Sequence, residues 1–362
     1  MKAAIFVENE KPLVIEEVTL DAPAAGQVHV KWGACGVCHS DVSIWNGTLP
    51  LPPPVVLGHE GAGVVAAVGE GVKEFSVGDH VIGSFVPTCG ECFYCRNGQA
   101  FVCEQSLAIG LSCMPFTRPD GSKTLGVVGG LAGFAEETIV SEAAIVKIPN
   151  DFPLDQAALI GCGVTTGVGA ALFAAKVSEG STAVVIGCGG VGLAAVQGCK
   201  IAKAQNIVAV DLNPQRRKDA EELGATHSVD PSEVNVLEFL QGITEGRGAD
   251  YVFEVVGHPD LQRQAYEWTR PGGVCCWVGI PKMDSETTVP GALVALQNKT
   301  IVGTMYGSAN VKQDFAKLVE FAKKGDINLE KMVSRRIKLE EVNDAFRAML
   351  EGEVIRSVII YD

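Results

Sequence analysis

Four cysteines fall within fifteen residues, Cys89, Cys92, Cys95 and Cys103, separated by two, two and seven intervening positions. Thiolates this close along one chain can wrap a single zinc ion tetrahedrally without help from elsewhere. Four sulfurs leave no open coordination position, so the expected role is structural, bracing a lobe over residues 89–103. Such a lobe prompts a search for a second, open metal site. Metal-compatible residues stand in three further segments: Gly-Val-Cys-His-Ser-Asp, with Cys38, His39, Ser40 and Asp41; Gly-His-Glu, with His59 and Glu60; and Gly-Cys-Gly-Val-Thr-Thr-Gly, with Cys162 and Thr166. Spacing alone does not group them. Taken singly, a cysteine among glycines or a lone histidine reads as structural.

A second constellation is Gly-Cys-Gly-Gly-Val-Gly at residues 187–192, which places Gly187, Gly189 and Gly192 in a G-x-G-x-x-G pattern around Gly190 and Val191. It follows the apolar run Thr-Ala-Val-Val-Ile-Gly and opens a helix-compatible stretch, and Asp211 stands nineteen residues past Gly192. In that context the first glycine permits the tight turn, the second lets the backbone approach a pyrophosphate, and the third allows close helix–strand packing. Asp211 would accept hydrogen bonds from the adenosine ribose and repel a 2′-phosphate, which favours NAD over NADP. Arg216 and Arg217 nearby are able to accept such a phosphate, and the bland alternative is a strand–turn–helix without ligand.

The elements that must position these residues change character along the chain. The first ~150 residues run in short Val-, Ile-, Gly- and Pro-rich segments of alternating polarity, which reads as all-β. Beyond about residue 164, apolar strands at 182–187, 206–211, 249–256 and 274–279 alternate with helical stretches such as 214–223 and 261–269. That alternation predicts a doubly wound parallel sheet, an α/β domain beside a β domain. The tail gives two helices and a final strand and is expected to return to the first domain. The expected boundaries are 1–163 for the β-rich domain that holds the cysteine lobe, 164–305 for the domain that holds the glycine loop and 306–362 for the return.

Composition narrows the function classes. A chain of 362 residues, 47% hydrophobic and 20% charged, supports two packed domains. A net charge of −14 opposes nucleic acid and anionic membrane surfaces as partners. The uncharged stretches 156–175 and 181–199 are long enough to span a bilayer but are broken by glycines, so no membrane role is expected. The N-terminus has no apolar signal core, and clustered cysteines in such a chain bind metal more often than they pair, so a reducing cytoplasm is expected.

Taken in order, these motifs make the chain resemble the zinc-dependent medium-chain alcohol dehydrogenases over essentially its whole length. The resemblance implies a GroES-like β-rich catalytic domain, a Rossmann coenzyme domain, NAD and two zinc ions per chain. Residue by residue, it implies a catalytic zinc held by Cys38, His59 and Cys162, with Glu60 as a neighbouring or transient ligand and Asp41 orienting the histidine. Ser40 matches the hydroxyl that takes the alcohol proton. Thr166 and Val278 match residues lining the cofactor site, and Arg356 matches a basic residue near the pyrophosphate. The animal enzymes end their proton relay at a histidine three residues past that hydroxyl; here the position is Ser43, so His39 or water is the expected exit.

His39 also matches the glutathione-dependent formaldehyde dehydrogenase branch. That branch has an arginine just past the fourth lobe cysteine, where this chain has Leu107, and acidic residues in the segment that reads Asn46–Pro54 here. Cys162 argues against a sugar alcohol. The expected substrate is a primary or aromatic alcohol, or the matching aldehyde, with Leu49–Pro54 and Leu107–Leu111 lining an apolar channel. The alternatives are oxidation of a formaldehyde adduct of another small thiol, and a catalytically silent dinucleotide-binding protein. By the same resemblance, segment 295–307 contains a sheet-edge strand that pairs with its twin, which implies a homodimer.

Overall fold

The computed structural model describes residues 1–113, 115–126 and 129–362. The chain divides into two compact units: Met1–Cys162 with Asn310–Asp362, and Gly163–Ala309.

In the first unit the alternating apolar runs form, among the described residues, two sheets of six and seven strands. The strand Gln27–Gly36 is central to the larger. It buries Val28, Val30, Trp32 and Ala34, while Lys31 faces solvent. Each fully buried valine of this kind contributes about 1.5–3 kcal/mol of hydrophobic stabilisation. On one side it pairs antiparallel with Glu60–Val68, with Gly36 opposite Glu60. On the other it pairs with Ser357–Ile360, with Gly36 opposite Val358. This register brings three distant segments, the residues just after Gly36, those around Glu60 and those just before Ser357, to one end of the sheet. The C-terminal return is therefore an integral strand of the first unit.

The segment 154–174, not expected as a helix, forms one: Leu154–Leu159, a π-helical turn Ile160–Val164, Thr165–Gly169 and a second π-helical turn Ala170–Ala174. It is long and apolar enough to cross a membrane, but 78% of its most apolar stretch is buried within the fold.

The second unit carries a six-stranded parallel sheet in the order His227–Val229, Asn206–Val210, Thr182–Ile186, Ala249–Glu254, Thr269–Trp277, Thr300–Gly303. The order reverses between Thr182–Ile186 and Ala249–Glu254, and ligands of such sheets bind in the crevice outside the strand ends at that point. The strand expected over 249–256 stops at Glu254 because residues 255–257 turn away, with Gly257 at φ +85°. The strand expected to start at 274 begins at Thr269, since Thr269 already pairs with Ala249 before an irregularity in the register. Segment 295–307 starts in the helix Gly291–Leu296 and holds the edge strand Thr300–Gly303.

Candidate metal and cofactor sites

The helix His39–Trp45 starts directly after the central strand, with Cys38 as its N-cap. Its third residue, Asp41, is fully buried and makes three hydrogen bonds. Oδ2 accepts the Cys38 N–H at 3.0 Å, while Oδ1 accepts the Gly58 N–H at 3.0 Å and lies 3.1 Å from His59 Nδ1. One carboxylate thus caps the helix, holds the turn before His59 and fixes the imidazole. With Nδ1 engaged by Asp41, Nε2 is the nitrogen left for a metal.

The ligand atoms of Cys38, His59, Glu60 and Cys162 all lie within 4.8 Å of one another, and all four residues are buried. Cys162 reaches the cluster from the π-helical turn. Arg356, 4% exposed, donates from Nη1 to Val37 O at 3.0 Å and places Nη2 3.5 Å from Glu60 Oε1. Arg356, which the sequence resemblance places near the pyrophosphate, has its guanidinium beside this cluster. The Cys38 thiol is held well below its ordinary range by the Cys162 hydrogen bond, and by Arg356 and His59 despite burial. Burial pushes the Glu60 carboxyl up to about 8 against the pull of Arg356. Burial depresses the His59 pKa, but the Asp41 and Cys38 charges outweigh it and hold the ring well above its usual value.

Two thiols and an imidazole converging in a buried pocket, with the imidazole backed by a carboxylate, suit a catalytic zinc with one position left for substrate. Ser40 Oγ lies 3.8 Å from Cys38 Sγ and is half-buried, whereas His39 is exposed. Sequence reasoning missed Phe85. Its ring meets the His59 ring edge-on, with centroids 5.6 Å apart. No local motif marks it, because it reaches His59 only through the pairing of Glu60–Val68 with His80–Gly83.

In the lobe, the ligand atoms of Cys89, Cys92, Cys95 and Cys103 also lie within 4.8 Å of one another. The sulfur separations are 4.0 Å for Cys89–Cys95, 3.9 Å for Cys92–Cys103 and 3.6 Å for Cys89–Cys103. Four sulfurs at about 2.3 Å from one tetrahedral ion would stand about 3.8 Å apart, so the residues fit zinc. The backbone N–H of Cys95 helps draw the Cys92 thiol down to about 6, toward the thiolate that a metal requires.

The glycine loop lies entirely in the second unit. Gly187 takes φ +91°, a Cβ on Gly192 would stand 1.8 Å from Gly187 O, and a Cβ on Gly189 would meet nothing within 4 Å. The tight turn and the close packing thus require glycine, while Gly189 opens onto free space where a phosphate can approach the backbone. The helix Gly190–Ile201 follows, its N-terminus directed at that space. Asp211 Oδ2 accepts the Cys188 N–H at 2.7 Å and Oδ1 the Asn213 N–H at 2.8 Å. Arg216 Nη1 is 4.0 Å from Asp211 Oδ2, whereas Arg217 is tied to Asp230 and two backbone carbonyls. Thr166 is half-buried on the helix Thr165–Gly169, and Val278, 8% exposed, donates its N–H to Glu254 O. These features fit a nicotinamide dinucleotide.

Two family models match the chain: an alcohol dehydrogenase GroES-like domain over residues 24–150 and a zinc-binding dehydrogenase domain over residues 190–324. A class-3 alcohol dehydrogenase of Drosophila melanogaster is 40% identical, over 99% of this chain and 97% of the relative. An NDMA-dependent alcohol dehydrogenase of Amycolatopsis methanolica is 38% identical, over 99% of this chain and 98% of the relative. Among solved structures, benzyl alcohol dehydrogenase of Acinetobacter calcoaceticus superposes with a TM-score of 0.92 at 29% identity, covering 100% of this chain and 99% of that one.

Proposed function

We propose, from the premise that the chain belongs to the zinc-dependent medium-chain alcohol dehydrogenases, that it catalyses reversible oxidation of a primary or aromatic alcohol to the aldehyde with NAD. The observation that carries this reading is the buried Cys38–His59–Cys162 set with Asp41 on the imidazole.

Cys38, His59 and Cys162 would hold a catalytic zinc, and the four lobe cysteines a structural one. Zinc bound at the first site supplies Lewis acidity that brings an alcohol hydroxyl toward deprotonation near neutral pH. Asp41 keeps the imidazole proton on Nδ1 and the ring in one orientation. Ser40 Oγ takes the alcohol proton and, since Ser43 replaces a histidine further along, passes it to solvent at exposed His39. Arg356 supplies the largest positive charge acting on Glu60, with His59 adding a smaller one, against burial and the charges of Cys38 and Asp41. Phe85 gives the pocket an apolar wall next to His59, which favours an alcohol with a hydrocarbon body. Gly187–Gly192, Asp211 and Arg216 hold the dinucleotide, with Thr166 and Val278 lining its site. The thiolate-rich centres suit the reducing cytoplasm.

The helix Gly291–Leu296 has no buried residue, Leu296 is 81% exposed, and Thr300–Gly303 is the last strand of its sheet. Such an edge calls for a cover, and a second copy of the chain is the one we assign. Sedimentation is expected to give a mass near twice 38.0 kDa; a monomer at micromolar concentration removes the dimer from the proposal.

The test of function is NADH formation with ethanol, longer alkanols and benzyl alcohol, beside zinc analysis of the same preparation. Turnover of a simple alcohol by protein with two zinc ions per chain is the expected result. Silence across the panel in fully loaded protein would overturn the assignment of a free primary or aromatic alcohol as substrate. The Cys38-His39-Ser40-Asp41 run favours a second reading, a formaldehyde adduct of a small thiol, which requires formaldehyde turnover to depend on added thiol.

A further inference from the structure

Glu254 ends the strand Ala249–Glu254, in register between Ile186 and Trp277. It is fully buried and its carboxylate makes no ion pair among the described residues; Oε1 folds forward over the following turn and accepts the N–H groups of Val256 at 2.8 Å and Gly257 at 2.7 Å. Oε2 has no hydrogen-bond partner among the described residues. Its main-chain carbonyl binds the opposite turn, accepting from Val278 at 2.8 Å and Gly279 at 3.0 Å. One residue therefore ties down the turns after two neighbouring strands.

Those turns meet the glycine loop. A Cβ on Gly187 would fall 2.5 Å from Val256 Cγ2, so the Val256 side chain stands directly against the first glycine. A Cβ on Gly257 would fall 2.6 Å from Ile280 O, and one on Gly279 would fall 2.1 Å from Gly257 N. The turns around Gly257 and Gly279 thus stack backbone on backbone, and the turn at Gly187 packs against them through Val256, at the carboxyl end of the strands where the strand order reverses. The side chain between the turns at Gly187 and Gly257 is that of Val256, and the Glu254 carboxylate holds the turn that carries it.

We propose that Glu254 is a positioning residue for the dinucleotide crevice, holding turn 255–257 so that Val256 buttresses Gly187 and fixes the surface on which the cofactor lies. This rests on the reading of residues 187–192 as the cofactor loop. Glu254 acts through the turn, and the feature that matters is a hydrogen-bond acceptor at Oε1 rather than charge.

The experiment measures NADH affinity by fluorescence, together with KM for NAD, KM for the alcohol and kcat, in wild type, Glu254→Ala and Glu254→Gln. Glu254→Ala is expected to weaken NADH binding and raise KM for NAD about tenfold, with the alcohol KM and zinc content within about twofold of wild type. Glu254→Gln keeps an acceptor oxygen and is expected to restore binding to within about twofold. Folded Glu254→Ala with unchanged NADH affinity, or Gln as defective as Ala, overturns the proposal. Should Glu254→Ala not fold, Val256→Ala tests the same contact at a position 55% exposed. NADH affinity falling at least about threefold supports the buttress, and unchanged affinity overturns it. Failure of wild type to bind NADH at all would instead remove the cofactor reading beneath it.

Discussion

His59→Ala is expected to lower kcat/KM for the alcohol by at least about a thousandfold, or roughly 4 kcal/mol of transition-state stabilisation. The variant loses the only nitrogen among the ligand atoms and strands its neighbours. Asp41 would keep its bonds to the Cys38 and Gly58 N–H groups but lose the imidazole as a partner. A buried carboxylate deprived of a partner is costly, so a modest drop in thermal stability should accompany the loss of activity. The zinc count should fall from two to one per chain, because the lobe cysteines are all local to residues 89–103 and do not depend on His59. Parallel turnover and metal measurements check this. A variant with full zinc content and near-normal turnover would show that the ion at this centre is held by other residues.

The second large effect concerns the choice of cofactor. Asp211→Ala should raise the ratio of kcat/KM with NADP to that with NAD by about a hundredfold, equivalent to about 2.7 kcal/mol. The ribose 2′-phosphate carries about two negative charges, and like charges juxtaposed at a binding surface cost several kcal/mol. Removing the carboxylate lifts that penalty and leaves Arg216, whose side chain is 31% exposed, available to the phosphate. Turnover with NAD itself should fall, because the same carboxylate accepts the Cys188 and Asn213 N–H groups and so joins the glycine loop to the next turn. Kinetics with both cofactors decide the matter. An unchanged ratio would mean that discrimination lies elsewhere in the crevice.

Legibility in the sequence followed locality. The lobe could be read directly, since its four ligands lie within one short segment and their sulfurs sit at tetrahedral separations. The glycine loop was readable because strand, turn, helix and acid follow one another in order. The open metal centre was not: Cys38, His59 and Cys162 are joined only by sheet register and by a helix, and only a family resemblance grouped them. Arg356 and Phe85 show the same limit. Nothing near Arg356 in the chain says that Val358 pairs with Gly36, and it is this pairing that draws its guanidinium toward Glu60. The helix containing Cys162 escaped notice because Gly161, Gly163, Gly167 and Gly169 disfavour a helix by intrinsic propensity. Tertiary packing overrides that preference. A Cβ on Gly167 would stand 2.2 Å from Val191 O, so the glycine is there to let two helices of the second unit touch.

The π-helical turn has a consequence for how this chain tolerates insertions and deletions. Leu154–Leu159 is packed in the first unit, with Leu154 against Gly33, and that contact sets the rotational phase of the helix. Each residue advances a regular helix by about 100°. The advance per residue is somewhat smaller in the π-helical turn Ile160–Val164, and removing one residue between Leu159 and Cys162 would swing the thiol by most of that angle and carry it off the ligand set. The Cys162 ligand is therefore indexed by residue count along a single helical turn, so at Ile160–Gly161 the number of residues matters to the site as well as their identity.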